Sequence, residues 1–124
     1  MLPTAIATVS GMTLTTVDIL PLSQTATADA DGTAEALFPQ VDSGYLWLVD
    51  AMSVRSTSTE QTRCEVWAGP RLMDGSDDGT FDFSDRNSPI LVNSGEELRV
   101  RWTGATPGAL CVFDGQYTYL RRGV

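Results

Sequence analysis

The sequence predicts an all-β protein, a single antiparallel sandwich of about eight short strands, and three observations support this. Apolar residues alternate with polar ones at the period of a strand, as Leu98, Val100 and Trp102 do with Arg99 and Arg101. Clusters of Gly, Pro, Asp and Ser interrupt the chain at short spacing, which is typical of a sandwich or barrel. The length of 124 residues suits one compact domain and is too short for two.

The first part of the chain differs in composition from the rest. Residues 1–17 contain no charged side chain and are rich in Thr, which favours extended backbone. We therefore predict an extended N-terminal arm over residues 1–20 and a sandwich domain over residues 21–124. Two interpretations of the arm stay open: a flexible tail, or a strand added to the exposed sheet edge of a neighbouring molecule.

The first half of the domain contains two clear strand signals. Residues 25–31 alternate strictly, and the Asp31-Gly32 pair predicts a tight hairpin that leads into a strand over residues 33–38. The longest apolar run, residues 45–54, has large side chains at both parities. That pattern is expected of a central strand or of a strand with a bulge.

The second half continues the same alternation. Residues 63–68 place Cys64, Val66 and Ala68 on one side of a strand. The other predicted strands are 89–92, 96–103, 109–113 and 116–120, with turns at 93–95, at 103–108 and at Asp114-Gly115.

The charged residues exclude several classes of function. Sixteen acids against eight Arg give a net charge of −8, which disfavours contact with nucleic acid. The absence of His and Lys rules out a serine–histidine or cysteine–histidine mechanism and leaves a zinc site too few ligands. No window is apolar enough for a membrane-spanning helix. We therefore expect no enzyme, no nucleic-acid partner, no membrane partner and no required cofactor.

The charge is also unevenly distributed. Residues 1–85 carry 13 acids and 3 Arg, whereas residues 86–124 carry 3 acids and 5 Arg. The more basic second part is therefore a candidate contact region for a charged neighbour.

The two cysteines have two interpretations. Cys64 and Cys111 each lie in an apolar strand-like run, where a free thiol behaves as a small buried hydrophobe. A disulfide would need the two strands to be neighbours, which the sequence does not show. Buried thiols are the favoured interpretation.

An acidic segment is the candidate metal site. Asp74, Ser76, Asp78, Asp82 and Asp85 occupy positions 1, 3, 5, 9 and 12 of a calcium-loop spacing. The last position holds Asp in place of the longer Glu, and no helical pattern flanks the segment. A solvated acidic loop between strands is therefore the favoured interpretation, with calcium as the alternative.

The aromatic residues also allow two interpretations. Trp47, Trp67 and Trp102 could form a platform for sugar, but each lies in an apolar strand, so we expect them in the core. Tyr117 and Tyr119 share a strand face near the end of the chain, where they would either pack or line an interface.

Several of these runs together resemble a known group of viral proteins. The runs are Gly44 to Asp50, Cys64 to Trp67, Pro89 to Val92 and Gly95 to Ala105. They resemble small jelly-roll structural proteins of tailed bacteriophages, most of all capsid decoration (cement) proteins, and the resemblance covers roughly residues 25–120.

The resemblance implies a jelly-roll sandwich that forms homotrimers and binds the major capsid protein on the outside of an assembled phage head. It implies a virion protein that is made in the host cytoplasm. The expected contacts lie in the arm and in the more basic second part: Leu2, Ile6, Val9, Met12, Leu14, Arg121 and Arg122. The alternative is a phage tail, fibre or receptor-binding module that contacts host glycan through exposed aromatic rings. A third alternative, a secreted carbohydrate-binding domain of cellular origin, is less favoured because the sequence lacks a cationic signal start.

Overall fold

The computed structural model describes residues 6–9, 12–77, 81–82 and 89–122, and within these ranges the chain forms ten β-strands. They are β1 (Ile6–Val9), β2 (Met12–Thr27), β3 (Ala34–Leu37), β4 (Tyr45–Ser56), β5 (Arg63–Ala68), β6 (Arg71–Ser76), β7 (Phe81–Asp82), β8 (Ile90–Val92), β9 (Leu98–Thr103) and β10 (Leu110–Arg122). The same ranges contain no helix that is long and apolar enough to cross a membrane.

The strands form two antiparallel sheets that pack face to face. Sheet A has the order β1-β2-β10-β4, and both β7 and β8 pair along the remaining edge of β4. Sheet B has the order β3-β9-β5-β6. Without the short strands β1 and β7, each sheet has four strands, and their order is that of a jelly roll. The predicted fold class is confirmed.

Most connections cross from one sheet to the other, which corrects the hairpin predicted at Asp31-Gly32. Strands β2 and β3 flank that pair but belong to different sheets. Gly32 has a φ of +78°, and a Cβ there would lie 2.4 Å from the carbonyl oxygen of Ala105. Glycine is therefore needed because the turn before β10 passes close by, and the Asp-Gly signal marks a crossing between sheets.

The long apolar run is a central strand with an irregularity, as predicted. Strand β4 pairs with β10 on one side and with β7 and β8 on the other. The register with β10 shifts between Asp114 and Gln116, opposite Ala51, which has a φ of +49°. A Cβ on Gly115 would lie 3.2 Å from the Cγ atom of Met52, so this bulge favours a glycine.

The turn predicted at Asp114-Gly115 is wrong, because β10 runs without a break from Leu110 to Arg122. The Asp114 carboxylate accepts hydrogen bonds from Ser23 Oγ at 2.6 Å and from Arg55 Nη1 at 2.7 Å. These donors lie on β2 and β4, the strands on either side of β10. Pairing with both neighbours thus overrides the local turn preference.

The boundary predicted between residues 20 and 21 falls inside a continuous strand. Strand β2 pairs with β10 from Leu14, opposite Arg122, to Thr27, opposite Leu110. Strand β1 pairs in turn with the start of β2. Residues 12–20 of the predicted arm therefore form part of sheet A, and residues 1–5, 10 and 11 lie outside the described residues.

The main core lies between the two sheets. Its largest fully buried side chains include Trp102 and Phe113, and both Cys64 and Cys111 lie in it as free thiols, as predicted. Burial is the main cause that raises the pKa of each thiol. A second cluster of Leu14, Leu46 and Leu120 lies on the opposite face of sheet A, because Leu46 and the core residue Trp47 are adjacent in one strand.

Candidate functional site

The outer face of sheet B carries a row of four large side chains that crosses all four strands. Alternation in β3, β5 and β9 points their even-numbered residues into the core and their odd-numbered residues outward. The registers then place Leu37 opposite Arg99, Arg99 opposite Trp67, and Trp67 opposite Leu72. We call these four residues the outer row.

The outer row has an apolar residue at each end and a cation on an aromatic ring at its centre. The side chains of Leu37 and Leu72 are 48% and 49% exposed. Arg99 Cζ lies 5.5 Å from the centroid of the Trp67 ring, within the range of a cation–π interaction. Arg99 Nε is buried and has no hydrogen-bond partner among the residues that the structure describes, so it is a donor without a described acceptor.

A second row beside the outer row is charged. Glu35, Arg101 and Glu65 lie opposite one another on β3, β9 and β5. Glu65 is paired with Arg63 at 3.1 Å, whereas Arg101 forms no ion pair with any residue that the structure describes. The outer face of sheet B therefore offers Arg99 and Arg101 as adjacent cations on a chain whose net charge is negative.

One partly buried ion pair lies at the edge of this face. Arg71 Nη2 lies 2.6 Å from Glu96 Oε1 and donates to the carbonyl oxygen of Leu91 at 2.9 Å. Partial burial raises the pKa of Glu96, but the hydrogen bonds from Arg71 and from the Asn93 amide outweigh it, so the pKa is lowered overall. Arg71 therefore links β6 of sheet B both to β8 of sheet A, through Leu91, and to the turn between β8 and β9, through Glu96.

The predicted partner contacts fall into four groups. Leu14 is fully buried against Leu46 and Leu120, so it cannot contact a partner in this conformation, and its prediction as a contact is corrected. Arg121 and Arg122 are exposed at the end of β10. Leu2 lies outside the described residues. Ile6 and Val9 are the two ends of β1, and Met12 begins β2.

The calcium-loop spacing is divided between two sheets. Asp74 and Ser76 lie in β6 of sheet B, where Asp74 is opposite Val66, whereas Asp82 lies in β7 of sheet A. Asp78 and Asp85 lie outside the described residues. Among the residues that are described, no group of three acidic or cysteine side chains is placed to hold a metal. The described ligands thus do not form one continuous loop, as the calcium spacing requires.

The three tryptophans do not share one environment. Trp47 and Trp102 are buried in the core, as expected. Trp67 is only partly buried and belongs to the outer row, so its assignment to the core is wrong. The predicted side of Cys64, Val66 and Ala68 already placed Trp67 on the opposite side of the strand, but its exposure depends on what covers that side.

Comparison with known proteins adds no relative. No protein-family model matches the sequence, and no curated protein matches it.

Proposed function

We propose that this protein is a virion structural protein that binds the outside of a phage head and stabilises it as a capsid decoration protein. The observation that supports this best is the exposed outer row, on a jelly-roll sandwich. Trp and Arg are enriched among the residues that dominate protein interfaces, and here they form the centre of a row flanked by exposed leucines. A sheet face of this kind suits a protein surface better than a small substrate.

The charges support a definite orientation on the shell. Arg99 and Arg101 on the outer face of sheet B would face the major capsid protein, and the neighbouring Glu35 and Glu65 would let this face pair with both signs of charge. The acidic remainder of the chain would face outward and keep decorated particles apart. Self-association as a trimer would present three such faces together, so that weak contacts add up over the particle.

The direct test is binding to undecorated phage shells, measured by co-sedimentation. We expect saturable, stoichiometric binding by the unaltered chain. Trp67→Ala should weaken it by at least about tenfold, as expected for a central interface residue. Leu72→Ala should weaken it less.

Leu110→Ala is the matched control for Leu72→Ala, because Leu110 is 48% exposed and lies at the start of β10, away from the outer row. An equal loss of shell binding in both leucine variants would show that the outer row is not part of the interface. Failure of the unaltered chain to bind any shell would contradict the proposed function itself.

Deletion of residues 1–11 leaves β2 intact and tests the contribution of the arm separately.

A second candidate function has an observation of its own. A tail, fibre or receptor-binding module that contacts host glycan is favoured by a groove lined with aromatic rings, which lies apart from the outer row. A map of the intact particle that places the chain on the tail would favour this second function.

A further inference from the structure

A groove of about 430 Å³ opens beside the inner face of sheet A. Strand β10 contributes Tyr117 and Tyr119, strand β4 contributes Trp47, and β2 contributes residues 21–23 to its lining. The segment after β3 supplies the remaining wall, through residues 38–40 and Asp42. The volume lies within the range of sites that bind small molecules.

The aromatic rings of the groove hold one another in place. The Tyr45 and Tyr119 rings are stacked with centroids 4.7 Å apart, and the Trp47 and Tyr117 centroids are 4.3 Å apart. Tyr117 and Tyr119 also meet edge to face at 6.4 Å. Rings that are already packed lose little conformational freedom when a ligand binds.

The polar groups of the groove differ in what they already bind. Gln40 Nε2 donates to the carbonyl oxygen of Gly95 at 2.7 Å, and Ser23 Oγ donates to Asp114. In the described part of the chain, the hydroxyls of Tyr117 and Tyr119 and the carboxylate of Asp42 form no side-chain hydrogen bond. Two donors and one acceptor are therefore available to a ligand.

The tyrosines remain protonated donors at neutral pH. Burial raises the pKa of Tyr117, and the nearby Asp18 raises it further. Burial also raises the pKa of Tyr119, with added contributions from Tyr45 and Asp42. None of the described residues that line the groove is cationic, and Arg121, two residues beyond Tyr119, is not part of this lining. An anionic ligand is therefore disfavoured.

We infer that this groove binds a neutral saccharide, with its apolar C–H face against Tyr119 and its hydroxyls on the tyrosine hydroxyls and Asp42. A sugar hydroxyl both donates and accepts, so one ligand satisfies both the phenol donors and the carboxylate acceptor. A polyproline segment also suits aromatic grooves, but it has no N–H at its prolines and would leave Asp42 without a donor. The inference deepens the second candidate function and does not depend on shell binding.

The test is an array of neutral and acidic oligosaccharides probed with the full chain, followed by NMR titration of each hit. We expect neutral hits only. Tyr119→Ala should reduce affinity by at least about tenfold. Tyr119→Phe should reduce it by about threefold to tenfold because it removes one hydrogen bond, and Asp42→Asn by a similar factor because it replaces a charged acceptor with a weaker, neutral one. Trp67→Ala, in the outer row, is the control and should bind glycan normally.

Three results would overturn the inference: no glycan hit at millimolar concentration, hits that survive all three groove variants, or binding of a decaproline peptide that Tyr119→Ala abolishes while no glycan binds. Tyr119→Phe keeps the stacked ring, so it decides the case if Tyr119→Ala fails to fold. Shell binding should be the same in the groove variants as in the unaltered chain. Loss of glycan binding and loss of shell binding are thus separable.

Discussion

The two sheets use their outer faces differently. On sheet A, the outer-face residues Leu14, Leu46 and Leu120 are fully or almost fully buried, so this part of the face is already covered within the chain. On sheet B, Leu37 and Leu72 stay about half exposed on either side of Arg99 and Trp67. Apolar burial on the outside of sheet A therefore serves folding, whereas apolar exposure on the outside of sheet B is available for a partner.

The largest predicted effect on stability distinguishes the two tryptophans of sheet B, one in the core and one on the outer face. Trp102→Ala should lower the free energy of unfolding by about 3–5 kcal/mol, because its side chain is fully buried between the sheets. Trp67→Ala should cost about 1 kcal/mol or less, because its ring lies on the partly exposed outer face.

Urea denaturation of both variants measures this difference. Both residues are tryptophans on adjacent strands, opposite faces and the same sheet, so each serves as the control for the other. Equal losses of stability would show that the outer row also stabilises the fold. The outer face of sheet B would then not differ from that of sheet A in its role.

The second effect concerns the covered face of sheet A. Leu14→Ala should lower the free energy of unfolding by about 2–4 kcal/mol, because it leaves a cavity beside Leu46 and Leu120. Val17→Ala is the control, since Val17 lies in the same strand and is 49% exposed. If residues 1–20 were an arm separate from the domain, both variants would be equally stable, and denaturation would show it.

Some parts of the fold could be predicted from the sequence and others could not. The alternation in residues 98–103 predicted both the strand and its buried side correctly. Asp31-Gly32 and Asp114-Gly115, however, gave the same turn signal, and the first marks a crossing between sheets while the second lies inside β10. Asp114 is held in a strand by pairing with β2 and β4 and by hydrogen bonds from Ser23 and Arg55, which lie 91 and 59 residues away, and no local pattern contains these contacts.

Less of the outer row and of the groove than of the fold could be predicted from the sequence. The parity of residues 63–68 placed Trp67 opposite the core side, but the outer row exists only through the registers of three strand pairs. The groove likewise needs β4, β10 and the segment after β3 to meet. Both sites are products of strand order, which strand-by-strand periodicity does not contain.

The smallest effect concerns the Arg71–Glu96 pair, which joins β6 to the turn between β8 and β9. The pKa of Glu96 is lower in the folded chain than its unfolded value near 4.5. The pair therefore stabilises the folded chain fully at a pH above 4.5, and this stabilisation is lost as the pH falls through the folded pKa. Glu96→Gln should therefore cost about 1 kcal/mol at pH 7 and progressively less below pH 4.5, measured by urea denaturation across that range. Glu97→Gln is the control, because Glu97 forms no ion pair with a described residue. A Glu96→Gln cost that is the same at both ends of the range would mean that the charge of the pair does not stabilise the fold.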